Sequence, residues 1–261
     1  MEHVTKKLIV SNWKMSPSSL VEAREILDSA SEYLESADEK NFNLVFCPPF
    51  IFLKEVGRIL KNSNLVQFST LGAQDIFWED QGADTGEISG PMLKKLGVEY
   101  AIIGHSERRW KLGEPDEIIN KKLKAALRNN ITPIVCIGER ERNNNFKEFL
   151  EKQVEATFND LSSDDIDKCL VAYEPVWAIS SIPGARPDTP ESALESIRII
   201  KNTLIENCKL RTENLPKVLY GGSVNSSNIL DFISQDEIAG VLVGSASVSK
   251  EEFIKLLSKI K

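Results

Sequence analysis

The sequence predicts an α/β protein that folds as a closed (β/α)8 barrel, a ring of eight parallel strands with helices outside. Short apolar runs alternate with longer segments of helical periodicity along the whole chain. A chain of 261 residues has the length expected for eight such units in one barrel domain. We therefore expect a single domain over residues 1–261, with a doubly wound open sheet as the alternative architecture.

The expected strands are largely apolar rather than alternating, which is typical of parallel strands covered on both faces. They are Leu8–Trp13, Asn43–Cys47, Val66–Ala73, Tyr100–Gly104, Thr132–Ile137, Cys169–Tyr173, Lys217–Tyr220 and Gly240–Val243.

Helical periodicity fills the intervals between these strands. Apolar residues recur at helical spacing between Leu20 and Leu34, for example. The third unit offers only a short helix, Gly90–Leu96. Thr189 is a suitable N-cap, and Pro190 is suited to the first position of a helix that we expect to reach Leu210.

Composition excludes several classes of function. The net charge of -7 and the absence of a Lys/Arg block argue against nucleic acid or anionic membranes as partners. No apolar run has the length of a membrane span and no leader precedes the first strand, so a cytoplasmic location is expected. The cysteines are dispersed without C-x-x-C spacing, so no metal site is expected; they are Cys47, Cys136, Cys169 and Cys208.

In such barrels the chemistry lies at the C-terminal ends of the strands. Glu174 ends the sixth apolar run, where desolvation disfavours its charged form and makes the carboxylate a stronger base. The alternative is a rim glutamate paired with a lysine.

Three further polar residues stand at strand ends. His105 follows the fourth strand and can polarise a carbonyl, or it can be a hydrogen-bonded structural histidine. Lys14 follows the first strand and can attract an anion, or it can be an ordinary surface lysine. Asn12 can orient a neighbour or cap a turn.

Small residues follow the last two strands, as Gly221-Gly222-Ser223 and Gly244-Ser245-Ala246. Loops at these positions often form a phosphate site, because small residues let backbone N–H groups approach the oxygens. Two such segments together indicate a phosphate-binding site more strongly than one Gly-Gly pair does.

Several motifs together resemble the triosephosphate isomerase family, in its order and at similar spacing over nearly the whole chain. They are Asn12-Trp13-Lys14-Met15, Gly72-Ala73-Gln74, Thr85-Gly86-Glu87-Ile88-Ser89, Gly104-His105-Ser106-Glu107-Arg108-Arg109, Cys136-Ile137-Gly138-Glu139, Ala172-Tyr173-Glu174-Pro175-Val176-Trp177-Ala178 and Tyr220-Gly221-Gly222-Ser223-Val224.

The resemblance implies an aldose–ketose isomerase that interconverts glyceraldehyde 3-phosphate and dihydroxyacetone phosphate in central carbon metabolism. Glu174 would remove a proton beside the carbonyl and return it to the neighbouring carbon, while neutral His105 polarises the oxygens. Lys14 would stabilise negative charge with Asn12 beside it. Neither a metal nor an organic cofactor is needed, because the reaction only moves a proton.

The resemblance also implies supporting roles. Ser106 would contact the base, Glu107 would lie under Lys14, and Cys136 would pack beside the catalytic groups unless it is simply a buried strand cysteine. A homodimer is implied, in which the Gly82–Glu87 loop reaches the partner and Gln74 helps to support the Lys14 loop. The positions expected to bind substrate phosphate are Ser180, Ser181, Ser223, Gly244 and Ser245.

Three departures from the family pattern stand out, the first two at positions that bear on the substrate and the third in the dimer loop. The lid tip Ser180–Thr189 is longer by about three residues and holds two prolines, which restrict φ. Ser245 replaces a usual glycine, which would cost about 1–2 kcal/mol if the position were left-handed. Asp84 replaces a typical aromatic residue in the dimer loop.

These departures leave two alternatives beside triose-phosphate isomerisation. A longer lid can admit one more carbon, so a paralogue acting on a four-carbon ketose phosphate such as an erythrulose phosphate is the second hypothesis. The third is a barrel without catalysis that binds phosphate ligands or serves as a scaffold.

Overall fold

The strands of the chain close into a barrel. The computed structural model describes residues 6–36, 41–180, 182–208, 210–211 and 215–260. Among these residues, eight parallel strands pair in chain order, and the last pairs with the first. An open sheet has two free edges, so the pairing of the last strand with the first excludes the doubly wound alternative.

The strands are short, as expected for a barrel of this kind. They are β1 Lys7–Asn12, β2 Phe42–Cys47, β3 Ser69–Ala73, β4 Val98–Ile103, β5 Thr132–Ile137, β6 Leu170–Tyr173, β7 Lys217–Tyr220 and β8 Gly240–Val243.

Helices cover the outside of the barrel. They are α1 Leu20–Ser36, α2 Leu53–Lys61, α3 Gly90–Lys95, α4 Ser106–Lys111, α5 Asp116–Arg128, α6 Phe146–Thr157, α7 Ser163–Asp167, α8 Pro190–Cys208, α9 Ile229–Ile233 and α10 Lys250–Leu257. None of the described helices is long and apolar enough to cross a membrane.

Several expected boundaries differ from the observed ones by one to three residues, most of all at the start of the third strand. The third strand begins at Ser69 and not at Val66, because Asn64–Gln67 forms a 3-10 helix. The Ser69 hydroxyl donates a hydrogen bond to the Leu65 carbonyl of this helix at 2.7 Å. Helix α8 ends at Cys208 and does not reach Leu210. Its N-terminus is as expected, since the Thr189 hydroxyl accepts the Ser192 N–H at 3.3 Å.

The apolar residues form two layers. One cluster, which includes Val10, Ile102 and Leu242, fills the barrel interior. The other lies between the strands and the helices. Because all strands point the same way, the polar residues that follow them meet at one rim of the barrel.

We predict that the barrel cysteines are chemically inert in the folded protein. Burial raises the pKa of the Cys47 and Cys136 thiols, and burial followed by Asp165 raises that of Cys169 to about 12. A thiol reacts as its thiolate. In a Cys208→Ser background, which leaves only these three cysteines, the native protein should therefore show no thiol reactive toward DTNB at about pH 8.

Unfolding in guanidinium chloride is the matched measurement for this prediction. All three remaining thiols should then react, because the burial that raises their pKa is lost. A thiol that reacts in the native protein as fast as free cysteine would contradict the buried positions.

Candidate active site

A cavity of about 730 Å³ opens at the C-terminal rim of the barrel, where the loops after β1, β4, β6, β7 and β8 meet. Its lining includes the four candidate catalytic residues predicted from the sequence and the candidate supporting residue Glu107. They are Asn12, Lys14, His105, Glu107 and Glu174.

Glu174 follows β6 and its side chain lies almost wholly buried at the floor of this cavity. Its carboxylate is held on both oxygens: Oε2 accepts the backbone N–H of Ser106 at 2.9 Å, and Oε1 lies 3.1 Å from His105 Nε2. The contact with Ser106 therefore comes from the backbone, while the buried Ser106 hydroxyl has no partner among the described residues. Among the described residues no lysine is paired with Glu174, and its burial argues against the alternative of a rim glutamate.

His105 has a structural and a cavity-facing role at once. It is the N-cap of α4, and its Nδ1 accepts the backbone N–H of Glu107 at 3.2 Å. An Nδ1 that accepts a hydrogen bond places the proton of a neutral imidazole on Nε2. The Nε2–H therefore points toward Glu174.

Lys14 is held in place through its backbone. Its φ of 53° lies in the left-handed region, which a residue with a side chain seldom adopts. The Asn12 side chain accepts the Lys14 N–H at 3.1 Å, and the Gln74 amide donates to the Lys14 carbonyl at 2.9 Å. Gln74 also donates to the Cys47 carbonyl at 2.9 Å, so it joins the first loop to the end of β2.

The Lys14 ammonium lies 3.1 Å from the Glu107 carboxylate. Burial acts to raise the pKa of Glu107, but the nearby Lys14 charge opposes it and the pKa is lowered overall. Glu107 therefore stays ionised and keeps the ammonium pointed into the cavity.

Two of the small residues after the last strands leave room for the side chains of the site. A Cβ on Gly221 would lie 2.8 Å from Glu174 Cγ, and a Cβ on Gly244 would lie 3.2 Å from Lys14 Cε. Ser245, in contrast, begins a 3-10 helix with right-handed backbone, so its replacement of glycine carries no left-handed strain.

The lid after β6 is tied to the loop after β7. The Ser223 hydroxyl accepts the Ser180 N–H at 2.7 Å and donates to the Ala178 carbonyl at 2.8 Å. Ser180, Ser223, Gly244 and Ser245 all line the cavity, whereas Ser181 lies outside the described residues.

Glu139 is a residue whose role the sequence reading missed, although it stood in one of the motifs. Its buried carboxylate accepts the Trp177 indole N–H and the Tyr173 hydroxyl, each at 2.9 Å, and lies 3.2 Å from Arg142. Burial raises the pKa of Glu139, which these partners oppose. Glu139 therefore anchors the lid at Trp177, the residue where the lid leaves the barrel.

The longer tip of the lid faces away from the cavity. Ile182 donates its N–H to Ile179 and Ala185 to Ile182, so the tip folds on itself. Residues Ile182–Arg186 line a separate cleft behind the lid, and none of them lines the cavity at the C-terminal rim of the barrel.

Cys136 lies buried beside Glu174, and burial followed by that carboxylate raises the pKa of its thiol. A thiol in this state is a packing group rather than a nucleophile. No cluster of three or more His, Cys, Asp or Glu residues suited to a metal ion occurs in the part of the chain that the structure describes.

Comparison with known proteins gives one consistent family. The family model for triosephosphate isomerase matches residues 7–260. A triosephosphate isomerase of Caldanaerobacter subterraneus is 41% identical over 259 residues, which cover 97% of this chain and 99% of that protein. Proteins of the same name from Aquifex aeolicus and Trichodesmium erythraeum are 40% and 42% identical, each over 97% of this chain and 98% of the relative.

Proposed function

The chain belongs to the triosephosphate isomerase family, and we propose that Glu174 is the base with which it interconverts glyceraldehyde 3-phosphate and dihydroxyacetone phosphate. The chain is an isomerase of the triosephosphate isomerase type. The observation that carries the proposed role is the position of a buried carboxylate beside an imidazole Nε2 in the rim cavity.

The proton transfer needs one base that acts twice. Glu174 takes the proton from the carbon beside the carbonyl, which leaves an enediolate, and returns it to the neighbouring carbon. Two partners hold this carboxylate in place, the Ser106 N–H on Oε2 and His105 Nε2 beside Oε1. Cys136, Gly138 and Gly221 surround it, so its side chain has little freedom away from the cavity.

The oxygens of the enediolate need stabilisation while the proton is away from carbon. His105 can donate its Nε2–H to an enediolate oxygen, because its Nδ1 already accepts the Glu107 N–H. Lys14 supplies positive charge from the opposite loop, and Asn12 lies next to it. These donors are fixed by the backbone before substrate arrives, which is what stabilises a charged intermediate most effectively.

The phosphate group of the substrate fits the part of the cavity built from small residues. Ser180 and Ser223 on one side and Gly244 and Ser245 on the other line that part. We include Ser181 in this set by its place in the lid sequence. Phosphate held here would place the carbonyl end of a three-carbon chain at Glu174 and His105.

We predict that Ser223→Ala lowers kcat/KM by about three- to tenfold, because the lid loses the two hydrogen bonds that hold it over the cavity. Steady-state kinetics measure the change. Ser227→Ala is the matched control, because Ser227 lines the same cavity but its hydroxyl donates to nearby Asn225 and not to the lid. An equal loss in both variants would contradict the role of Ser223 in closing the lid.

The three-carbon substrate is also favoured by where the extra lid residues lie. A lid that admits a fourth carbon would place its added residues along the catalytic cavity, whereas Ile182–Arg186 line the cleft behind the lid. The relatives carry the name triosephosphate isomerase throughout.

Side-by-side kinetics test this substrate assignment. We expect kcat/KM for glyceraldehyde 3-phosphate to lie within about a hundredfold of the diffusional limit and to exceed that for erythrulose phosphates by orders of magnitude. A preference for the four-carbon phosphate would overturn the assignment. Turnover of neither compound would favour a barrel that has lost its activity.

We further propose that the chain forms a homodimer through the Gly82–Glu87 loop. Every residue of the loop is exposed, and so are the side chains of Met15, which is 100% exposed, and Ile51, which is 81% exposed. A dimer interface would bury these apolar side chains. Burial of Met15 would also brace the loop that carries Lys14.

Sedimentation equilibrium tests the dimer. The expected mass is twice the 29.2 kDa of one chain, and Met15→Asp should shift it toward the monomer and lower kcat. A fully active monomer would overturn the proposed dimer. Within this proposal residues 1–261 form one catalytic domain that works in the cytoplasm, in glycolysis and gluconeogenesis.

A further inference from the structure

The longer lid tip creates a second cavity, which we call the rear cleft. Its walls are the lid residues Ile182–Arg186, Trp177 where the lid begins, Trp110 and Lys111 of α4, and the segment Arg140–Asn143 after β5. The rear cleft has a volume of about 640 Å³, close to that of the catalytic cavity and within the range of small-molecule sites. The catalysis proposed above makes no use of it.

The charge of the rear cleft favours an anion. Its basic side chains are Lys111, Arg140, Arg142 and Arg186, and its acidic ones are Glu107 and Glu141. Arg142 is already paired with Glu139 and Glu195, and Glu107 with Lys14. Neither Arg140 nor Arg186 has a carboxylate partner within the part of the chain that the structure describes, so two guanidinium groups remain available.

An aromatic surface lies beside these charges. Trp110 is 41% exposed, and the Arg140 guanidinium carbon lies 5.4 Å from its ring centroid. The Phe149 ring also lies near the indole, at a centroid distance of 6.3 Å. An exposed indole with a guanidinium beside it can stack a flat ring, and phosphate oxygens suit the fork geometry of arginine.

We propose that the rear cleft binds an anionic ligand with an aromatic ring, of the nucleoside phosphate class, and that its occupancy slows the lid. One wall of the cleft is the lid itself, and Ile179 and Glu107 line both cavities. A ligand that binds the cleft in this lid position stabilises this position over others. Because turnover requires the lid to open again, kcat should fall.

This inference rests on the proposed function, and the experiment separates the two. ATP is the probe, and isothermal titration calorimetry measures its binding to the full chain. Saturating glycerol 3-phosphate, a three-carbon phosphate without a carbonyl, occupies the catalytic cavity during the titration. ATP should still bind. Adenosine and tripolyphosphate should each bind more weakly than ATP, because adenosine lacks the phosphate oxygens and tripolyphosphate lacks the aromatic ring.

Matched variants locate the site. Arg140→Ala and Arg186→Ala should each weaken ATP binding about tenfold, since each removes a charge-assisted contact with phosphate. Lys124→Ala is the control, because Lys124 lies in a separate basic cluster around Trp78. Equal affinity in all three variants, or loss of ATP binding when glycerol 3-phosphate is present, would overturn the assignment to the rear cleft.

Kinetics test the effect on the lid. Saturating ATP should lower kcat for glyceraldehyde 3-phosphate, and the effect should be lost in Arg140→Ala. Bound ATP that leaves kcat unchanged would overturn the coupling to the lid. The kcat measured without ATP reports on the proposed isomerase function alone. Either proposal can therefore be overturned without the other.

Discussion

Replacing Glu174 with glutamine should lower kcat by about 10²- to 10⁴-fold, the range that a positioned general base contributes. Glutamine keeps the size of the side chain, and its amide oxygen can still accept the Ser106 N–H that now bonds to Oε2. What it loses is the lone-pair basicity needed to take a proton from carbon. The loss should therefore lie in kcat and equally in kcat/KM, with KM little changed.

Folding must be intact for that result to count. The thermal unfolding midpoint of Glu174→Gln should stay close to that of the wild type, because no volume is lost from the core. Glu252→Gln is the control, because Glu252 lines the same cavity and its carboxylate accepts the Ser226 N–H at 2.7 Å, away from Glu174 and His105. A folded Glu174→Gln protein with near-normal kcat would show that another group is the base.

Replacing Lys14 with methionine should lower kcat/KM by about 10²- to 10³-fold and flatten its dependence on ionic strength. Methionine retains the length of the side chain without its charge. The Glu107 carboxylate then loses its ammonium partner, and its pKa should rise because Lys14 no longer lowers it. A phosphate dianion would meet a net negative site.

Stopped-flow or steady-state rates at several salt concentrations measure this effect. Lys255→Met is the matched control, because Lys255 lines the outer part of the same cavity, and its loss should change kcat/KM much less. Unchanged kcat/KM and unchanged salt dependence in Lys14→Met would remove its proposed role.

The sequence could predict where the candidate catalytic side chains lie, because one rule governs them all. Parallel strands present their C-terminal ends at the same rim, so Lys14, His105 and Glu174 had to meet once the barrel was predicted. Their spacing in sequence plays no part in this. The roles assigned to them came from the family resemblance and not from the fold rule.

The local sequence pattern could not predict how those side chains are held, and the support from Ser106, Glu107 and Gln74 was expected only from the family resemblance. Nothing in the local pattern indicates that Lys14 has a left-handed backbone or that Gln74, sixty residues away, fixes its carbonyl. Gly244 was interpreted as a phosphate-binding residue, and its close approach to Lys14 Cε depends on packing between β8 and β1. Contacts of this kind follow from three-dimensional packing, which periodicity does not encode.

The lid tip shows the same limit more plainly. Its extra residues left a four-carbon substrate open as the second hypothesis, because the sequence gives the length of the tip but not the direction in which it folds. The hydrogen bonds from Ile182 to Ile179 and from Arg186 to Trp177 turn the tip outward, so the added length forms the rear cleft instead. Val66 was likewise placed in a strand because an apolar residue does not reveal by itself that it is 55% exposed.

Isomerisation of glyceraldehyde 3-phosphate in D2O is the most direct test of the proton transfer by Glu174. A carboxylate that removes and returns the proton exchanges it with solvent during the transfer, so dihydroxyacetone phosphate should gain deuterium at the carbon that accepts the proton. Glu174→Gln should incorporate deuterium at a rate reduced in parallel with kcat. Product that stays free of deuterium after many passes through the reversible reaction would contradict the account, because hydrogen would then move directly from carbon to carbon.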